Sequence, residues 1–311
     1  MKGLSMRTMK LGQSDLSVPV IALGCFRINR LSNQEAARHI QTALDQGVNF
    51  FDHADSYGGG ICESIFAEAL GTIGCPREKV IIQSKCGNIR GKMYNSSKDY
   101  IVQAVEGSLK RLKTDYLDVL LLHKPDILVE PDEVAEAFDL LYESGKVRHF
   151  GVSNHNPRRM QLLQETVRQP LVANQLQLSI PNATMITSGV AANVLHDEAL
   201  DHDGHVLDFC RLNKITIQVW GAFQFGDHLG IFLDNDQFPE LNAKLGLLAE
   251  KYHVSNSTIV IAWLLRHPAN MLPIVGTMTS DRLRECAEAA EIQLSREEWY
   301  EIYRAAGHLL P

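Results

Sequence analysis

Four side chains could together move a proton: Asp52, Tyr57, Lys85 and His123. Asp52 and Tyr57 share one stretch, FFDHADSYGGG, where an apolar run breaks into ionisable residues and then into three glycines. A phenol with its ordinary pKa of about 10 is a poor acid at neutral pH, and a neighbouring ammonium favours the phenolate. Lys85 is the candidate for that charge. A lysine buried beside a tyrosine tends to lose its own proton unless a carboxylate holds it charged, which is the role open to Asp52. His123 adds a donor toward a substrate oxygen. Such groups suit proton donation to a carbonyl as hydride arrives at its carbon, with the imidazole orienting and polarising that carbonyl. Lys85 also has a second reading, as the nucleophile of a Schiff-base aldolase, which leaves Tyr57 without a task.

These residues need elements that bring them to one place. Between Val20 and Ala289, short apolar runs alternate with amphipathic helical stretches. The strand candidates are VIALG (20–24), NFFDH (49–53), VIIQSK (80–85), LDVLLLH (117–123), VRHFGVS (147–153), LVANQLQ (171–177), ITIQVW (215–220) and LPIVG (272–276). Between them, stretches such as NQEAARHIQTALDQG, KDYIVQAVEGSLKRLK, EVAEAFDLLYESG and ELNAKLGLLAEKY repeat apolar residues at helical spacing. Runs continuous in Val, Ile and Leu suit parallel strands buried on both faces, so the alternation predicts an α/β fold, a closed (β/α)8 TIM barrel. The competitor is a doubly wound sheet, and no glycine-rich GxGxxG loop follows the first strand to support it. No linker rich in Pro, Ser or Gly divides the chain, so residues 1–311 read as a single domain, with a long irregular loop or lid at about 181–205. Active sites of such barrels form at the C-terminal strand ends, where Asp52, Lys85, His123, Ser153 and Asn154 fall, with Gln175 near the end of its strand. Gly58, Gly59 and Gly60 let the chain leave its strand sharply, hold Tyr57 over the barrel mouth and start the next helix.

A formal net charge of -7 argues against a nucleic-acid or anionic-membrane partner, because such surfaces are met by clustered Lys and Arg. No run has the length of a signal peptide core or a membrane span, which predicts a soluble, cytoplasmic protein. Six cysteines are scattered without a CxxC pair, in keeping with a reducing compartment and no structural zinc. HDEALDHDGH (196–205) alternates imidazoles and carboxylates without regular spacing, and it reads as a polar loop with no functional metal. His53 and Asp55 are expected to make structural hydrogen bonds, and Cys86 to face away from Lys85 along the strand.

The positions of Asp52, Tyr57, Lys85 and His123 resemble the catalytic tetrad of the aldo-keto reductases in identity, order and spacing. DHADSYGG, SKCG, LLLHKPD, SGKVRHFGVSN and PIVGT extend the resemblance over nearly the whole chain and make it most similar to the family's bacterial YdhF-type branch. The resemblance implies a reductase of aldehyde or ketone carbonyls in small molecules, with Tyr57 as proton donor and NADPH, rather than NADH, as cofactor. It implies that Ser153, Asn154 and Gln175 hydrogen-bond the nicotinamide carboxamide and that Trp220 stacks on the ring, followed by Gly221 and Phe223. Gly24, Cys25 and Phe26 would lie where the first strand meets cofactor and substrate, with Phe26, Trp220 and Phe223 walling the substrate pocket. GTMTSDRLREC resembles the adenosine-phosphate segment: Arg282 and Thr277 match its 2'-phosphate contacts, Gly276 stands where many members carry lysine, and Cys286 where many carry asparagine. WGAFQFG also lacks the usual Ser-Pro after the stacking aromatic. Some members of the family bind the cofactor as sensing or accessory subunits with little turnover, which is the alternative reading.

Overall fold

Eight parallel strands close into a barrel in this computed structural model, which describes residues 6–191, 194–195, 197, 200–226 and 230–311. The strands are β1 (Ala22–Gly24), β2 (Phe50–Asp52), β3 (Ile81–Cys86), β4 (Leu117–Leu122), β5 (Val147–Ser153), β6 (Leu171–Gln177), β7 (Thr216–Trp220) and β8 (Leu272–Val275). Each pairs in parallel with its sequence neighbours, and β8 pairs with β1 to complete the ring. All eight runs expected to be strands are therefore barrel strands, and the (β/α)8 class holds.

Helices carry the chain back between strands. They are α1 (Asn33–Asp45), α2 (Ile61–Thr72), α3 (Lys98–Leu112), α4 (Pro131–Glu143), α5 (Pro157–Gln164), α6 (Thr184–Val190), α7 (Val206–Leu212), α8 (Pro239–Tyr252), α9 (Asn256–Arg266), α10 (Ser280–Glu288) and α11 (Arg296–Ala305). Local chemistry sets several starts. Ser32 and Glu35 close a capping box on α1, Ser295 and Glu298 do the same on α11, and Pro131 and Pro157 occupy first-turn positions that need no donor. None of the helices among the described residues is long and apolar enough to cross a membrane.

The core has two parts, which follow from the alternation of side chains along each strand. A large cluster joins the outer strand faces to the helices, as with Val152, Phe138 and Phe150. A smaller one has no helical member: Ala22, Phe50, Val119, Leu121, Ala173 and Leu272 meet inside the barrel, closed below by Leu11 and Val18 of the hairpin Thr8–Lys10 and Ser17–Pro19. Above this layer the interior turns polar, with Asp52, Gln83, Lys85, Gln175 and Gln218 buried there.

The segment at 181–205 differs from the irregular loop expected. Residues Thr184–Val190 are helical, because Met185 and Ile186 are buried and Tyr303 of α11 donates to Thr187 Oγ1 at 3.2 Å, docking the turn. His196, Glu198 and Ala199 of the HDEALDHDGH stretch lie outside the described residues. Two short ribbons also rise on the mouth side, Asn88–Ile89 with Met93–Tyr94 after β3 and Gln224–Phe225 with Gly230–Ile231 after β7.

Candidate active site

Lys85 is the hub of the polar layer. It projects from β3 and is wholly buried, and its Nζ donates to both oxygens of Asp52 at 2.8 Å, to the His53 carbonyl at 2.7 Å and to the Tyr57 hydroxyl at 3.0 Å. Asp52 ends β2, and the chain then turns through Gly58, Gly59 and Gly60, with φ of 57°, 66° and 94°. A Cβ on Gly60 would press on the Arg111 side chain at 2.8 Å, but the left-handed backbone at φ 94° is what calls for glycine there. The turn leaves the Tyr57 ring edge-on to Phe26 at 5.0 Å and to His123 at 5.8 Å between centroids. The four residues singled out in the sequence thus converge at the C-terminal ends of β2, β3 and β4.

The electrostatics modify the expectation for Tyr57. Withdrawal from water pushes the Tyr57 phenol above its ordinary value, and the pull of Lys85 in the other direction does not overcome it. Lys85 is itself disfavoured as a cation by burial, but Asp52 and Tyr57 more than compensate and raise it. A lysine so firmly charged is a poor Schiff-base nucleophile. His123 falls to about 3, first from burial and then from Lys85 and Lys124, so it is a neutral imidazole at physiological pH. Its Nδ1 has no protein partner.

Around this centre a chain of hydrogen bonds joins Trp220, Asn154, Ser153 and Gln175. Trp220 Nε1 donates to Asn154 Oδ1 at 3.2 Å, and Asn154 Nδ2 donates to the His123 carbonyl at 3.2 Å and to Ser153 Oγ at 2.8 Å. Asn154 has φ 61°, a conformation that asparagine tolerates better than most residues. Ser153 Oγ donates in turn to the Gln175 carbonyl at 2.9 Å. Gln175 is less free than expected: its Nε2 donates to Asp52 Oδ1 at 3.0 Å and to Gln218 Oε1 at 3.1 Å, so its side chain has only its own oxygen left to offer a ligand. Phe26 is 47% exposed, while Phe223 is half-buried against the core and Gly221 turns the chain with φ 72°. Gly24 pairs with Asp52 across β1 and β2, and Cys25 is buried, its thiol pushed well up by burial and by Asp52.

Beyond β8, Gly276 and Thr277 precede α10, whose first turn carries Arg282 and has no side-chain cap. Sequence reasoning missed Arg27 here. From the loop after β1 it donates through Nε and Nη2 to the Gly276 carbonyl, at 3.1 and 2.6 Å, and a Cβ on Gly276 would stand 3.3 Å from Nη2. Burial, then the charges of Arg30 and Arg282, lower the Arg27 guanidinium from its ordinary value, so three arginines converge on this segment. This places a guanidinium beside Gly276; the signal for it in the sequence was an arginine next to Phe26. Cys286 is fully buried on α10 and presents no side-chain surface to a ligand.

His53 departs from the structural hydrogen bonds expected, whereas Asp55 makes one. Neither ring nitrogen of His53 has a partner; the ring packs edge-on against Phe66 at 4.5 Å, and burial lowers it to about 3. Asp55 accepts from Tyr100 at 3.3 Å, its other oxygen is unpartnered, and burial beside Glu63 raises it to about 6. Cys86 does face outward into the helical core, where burial pushes its thiol well up, so it is no reactive thiolate.

Comparison with known proteins agrees with this geometry. The profile of the Aldo/keto reductase family matches residues 20–306. The chain is similar to oxidoreductase YdhF of Escherichia coli K12, 35% identical over 89% of each chain. It is 31% identical to a 6-dehydroglucose reductase of Agrobacterium fabrum, over 94% of this chain and 95% of that one. Among solved structures, the thermostable aldo-keto reductase Tm1743 superposes with a TM-score of 0.78 at 25% identity, covering 96% of this chain and all of the other. A family match across the whole barrel and relatives alike along most of their length have one meaning: this chain belongs to the aldo/keto reductase family, oxidoreductases that act on carbonyls.

Proposed function

We propose that the protein reduces aldehyde or ketone carbonyls of small molecules to alcohols with NADPH, and that Tyr57 donates the proton. One observation carries this reading: the Tyr57 hydroxyl lies 3.0 Å from a fully buried ammonium that is itself ion-paired to Asp52 at 2.8 Å. When bound, the nicotinamide supplies the hydride. Tyr57 is protonated throughout the neutral range, the state a donor requires. Lys85 stabilises the negative charge that develops on the phenol as its proton leaves, and Asp52 keeps Lys85 charged. The neutral His123 has one N–H to offer a carbonyl oxygen, which orients that oxygen toward Tyr57. Asn154, Trp220 and Ser153 would line the nicotinamide side of the site, with Gln175 presenting its oxygen. Arg27, Arg282 and the uncapped start of α10 form a cationic end fitted to the 2'-phosphate that distinguishes NADPH from NADH.

The test is NADPH oxidation, followed by absorbance, over a panel of aldehydes, α-dicarbonyls and quinones, beside NADH and the Tyr57→Phe variant. Turnover with NADPH should fall by about 100- to 10,000-fold in Tyr57→Phe, with cofactor affinity nearly unchanged. Full turnover in that variant sinks the mechanism. Tight cofactor binding without turnover on any carbonyl would favour a sensing or accessory role instead.

A further inference from the structure

Two fully buried residues of the barrel interior have no part in that mechanism: Gln83 on β3 and Gln218 on β7. They face each other across the barrel and exchange hydrogen bonds, each Nε2 donating to the other's Oε1 at 2.8 Å. Gln83 Nε2 also donates to Asp52 Oδ1 at 2.6 Å, and Gln175 Nε2 reaches both Asp52 Oδ1 and Gln218 Oε1. The orientation of every amide follows from one charge. A carboxylate only accepts, so Gln83 and Gln175 must turn their nitrogens to Asp52; the second N–H of Gln83 then requires the oxygen of Gln218, which leaves Gln218 nitrogen to satisfy Gln83 oxygen. A barrel interior is ordinarily filled by branched apolar side chains, and burying two amides there is costly unless every donor is matched. Here Gln83 ends one of its donors on the carboxylate that grips Lys85, and Gln218 donates back to Gln83.

We propose that Gln83 and Gln218 are positioning residues of the reduction. With Gln175 they hold the Asp52 carboxylate immobile beneath Lys85, and so fix the ammonium where it meets the Tyr57 hydroxyl. The proposal rests on Tyr57 being the proton donor. The other titratable groups facing this centre are Cys25 at the end of β1, His53 after β2 and His123 after β4.

Three variants test it: Gln83→Met, the double variant Gln83→Met/Gln218→Met, and Gln83→Glu, each read by kcat, cofactor affinity from fluorescence titration, and kcat against pH. The double variant replaces both partners by apolar groups of similar shape, so it should fold even where the single one is weakened. In both methionine variants kcat should fall about 10- to 100-fold at every pH while cofactor affinity holds, because the reacting groups are misplaced rather than removed. Gln83→Glu should behave differently. Two carboxyl groups in contact share a proton at low pH, so the glutamic acid O–H replaces the lost N–H and turnover approaches wild type near pH 5. As the pH rises toward about 8, a second negative charge accumulates beside Lys85 and kcat should fall while circular dichroism stays native. A folded double variant with wild-type kcat, or a Gln83→Glu profile parallel to wild type, overturns the proposal. Wild-type turnover in the double variant together with its loss in Tyr57→Phe would leave the proton-donor reading standing; full turnover in Tyr57→Phe overturns both.

Discussion

Replacing Lys85 with methionine removes the cation while keeping much of the side chain's volume. In the folded protein Nζ makes four contacts, two to Asp52, one to the His53 carbonyl and one to Tyr57. Without it, the buried Asp52 carboxylate keeps only the amide donors of Gln83 and Gln175. Removing one partner of a buried ion pair costs about 3–5 kcal/mol. Lys85 is raised above its ordinary value in the folded state, so its contribution is fully present below that ordinary value and is lost only as pH climbs through the raised one. The stability gap between wild type and variant should therefore be constant across neutral pH. Turnover should drop about 100- to 10,000-fold, because burial and Asp52 then act on Tyr57 unopposed and its proton is held still more tightly. A second variant, Asp52→Asn/Lys85→Met, removes the unpaired charge and should regain most of the stability with none of the turnover. Denaturant midpoints and NADPH oxidation read both quantities. A Lys85→Met protein as stable as wild type, or a double variant no more stable than the single one, would refute the claim that this ion pair organises the site.

Other perturbations follow from the buried groups nearby. Asp55 is raised to about 6, so as pH rises from about 4 to beyond 6 the folded state must ionise a carboxyl that burial disfavours. Asp55→Asn should therefore be more stable than wild type at pH 8, by up to about 3 kcal/mol, and nearly equal to it near pH 4; the same shift at both values in denaturant unfolding would rule this out. His53 is lowered to about 3, so its contribution to stability is present above about 6.5 and drains away as pH falls toward 3. His53→Leu, which also removes two unpartnered nitrogens, should unfold at a lower pH than wild type, and an unchanged acid midpoint by circular dichroism would count against it. Arg27→Ala should weaken NADPH binding about 10-fold and NADH binding far less, by fluorescence titration; equal losses for both would separate Arg27 from the 2'-phosphate.

Every barrel strand was legible in the sequence because each is a short, largely apolar run, and the four clustered residues because Asp52, Lys85 and His123 fall at the ends of such runs and Tyr57 five residues past Asp52. Other features depend on contacts between distant segments. Gln83 and Gln218 are 135 residues apart, and each interrupts an apolar run in a way that alternation alone leaves unexplained. Nothing within VIIQSK or ITIQVW says what stands opposite. Arg27 and Gly276 are separated by 249 residues, so the absence of a lysine at Gly276 was visible and the guanidinium beside it was not. The helix at Thr184–Val190 was hidden for a related reason: TMITSGV is rich in β-branched residues and glycine, and its docking on Tyr303 overrides that weak propensity.

Tyr57 shows why proximity read from sequence is not yet a pKa. The lysine beside the tyrosine was legible, but burial of the phenol was not, and burial is the larger effect. Under the proposed mechanism, the outcome serves proton donation better than the expected one would. A tyrosine pulled down toward neutrality by its lysine would spend part of its time without the proton it must give. One raised by burial keeps that proton, and Lys85 attracts the phenolate more strongly than the neutral phenol. The attraction therefore grows as the proton moves and acts on the transition state more than on the resting enzyme, which is the condition for lowering a barrier. In the proposed mechanism the barrel would meet that condition through an ammonium carried on a strand and a carboxylate partner held by Gln83 and Gln175.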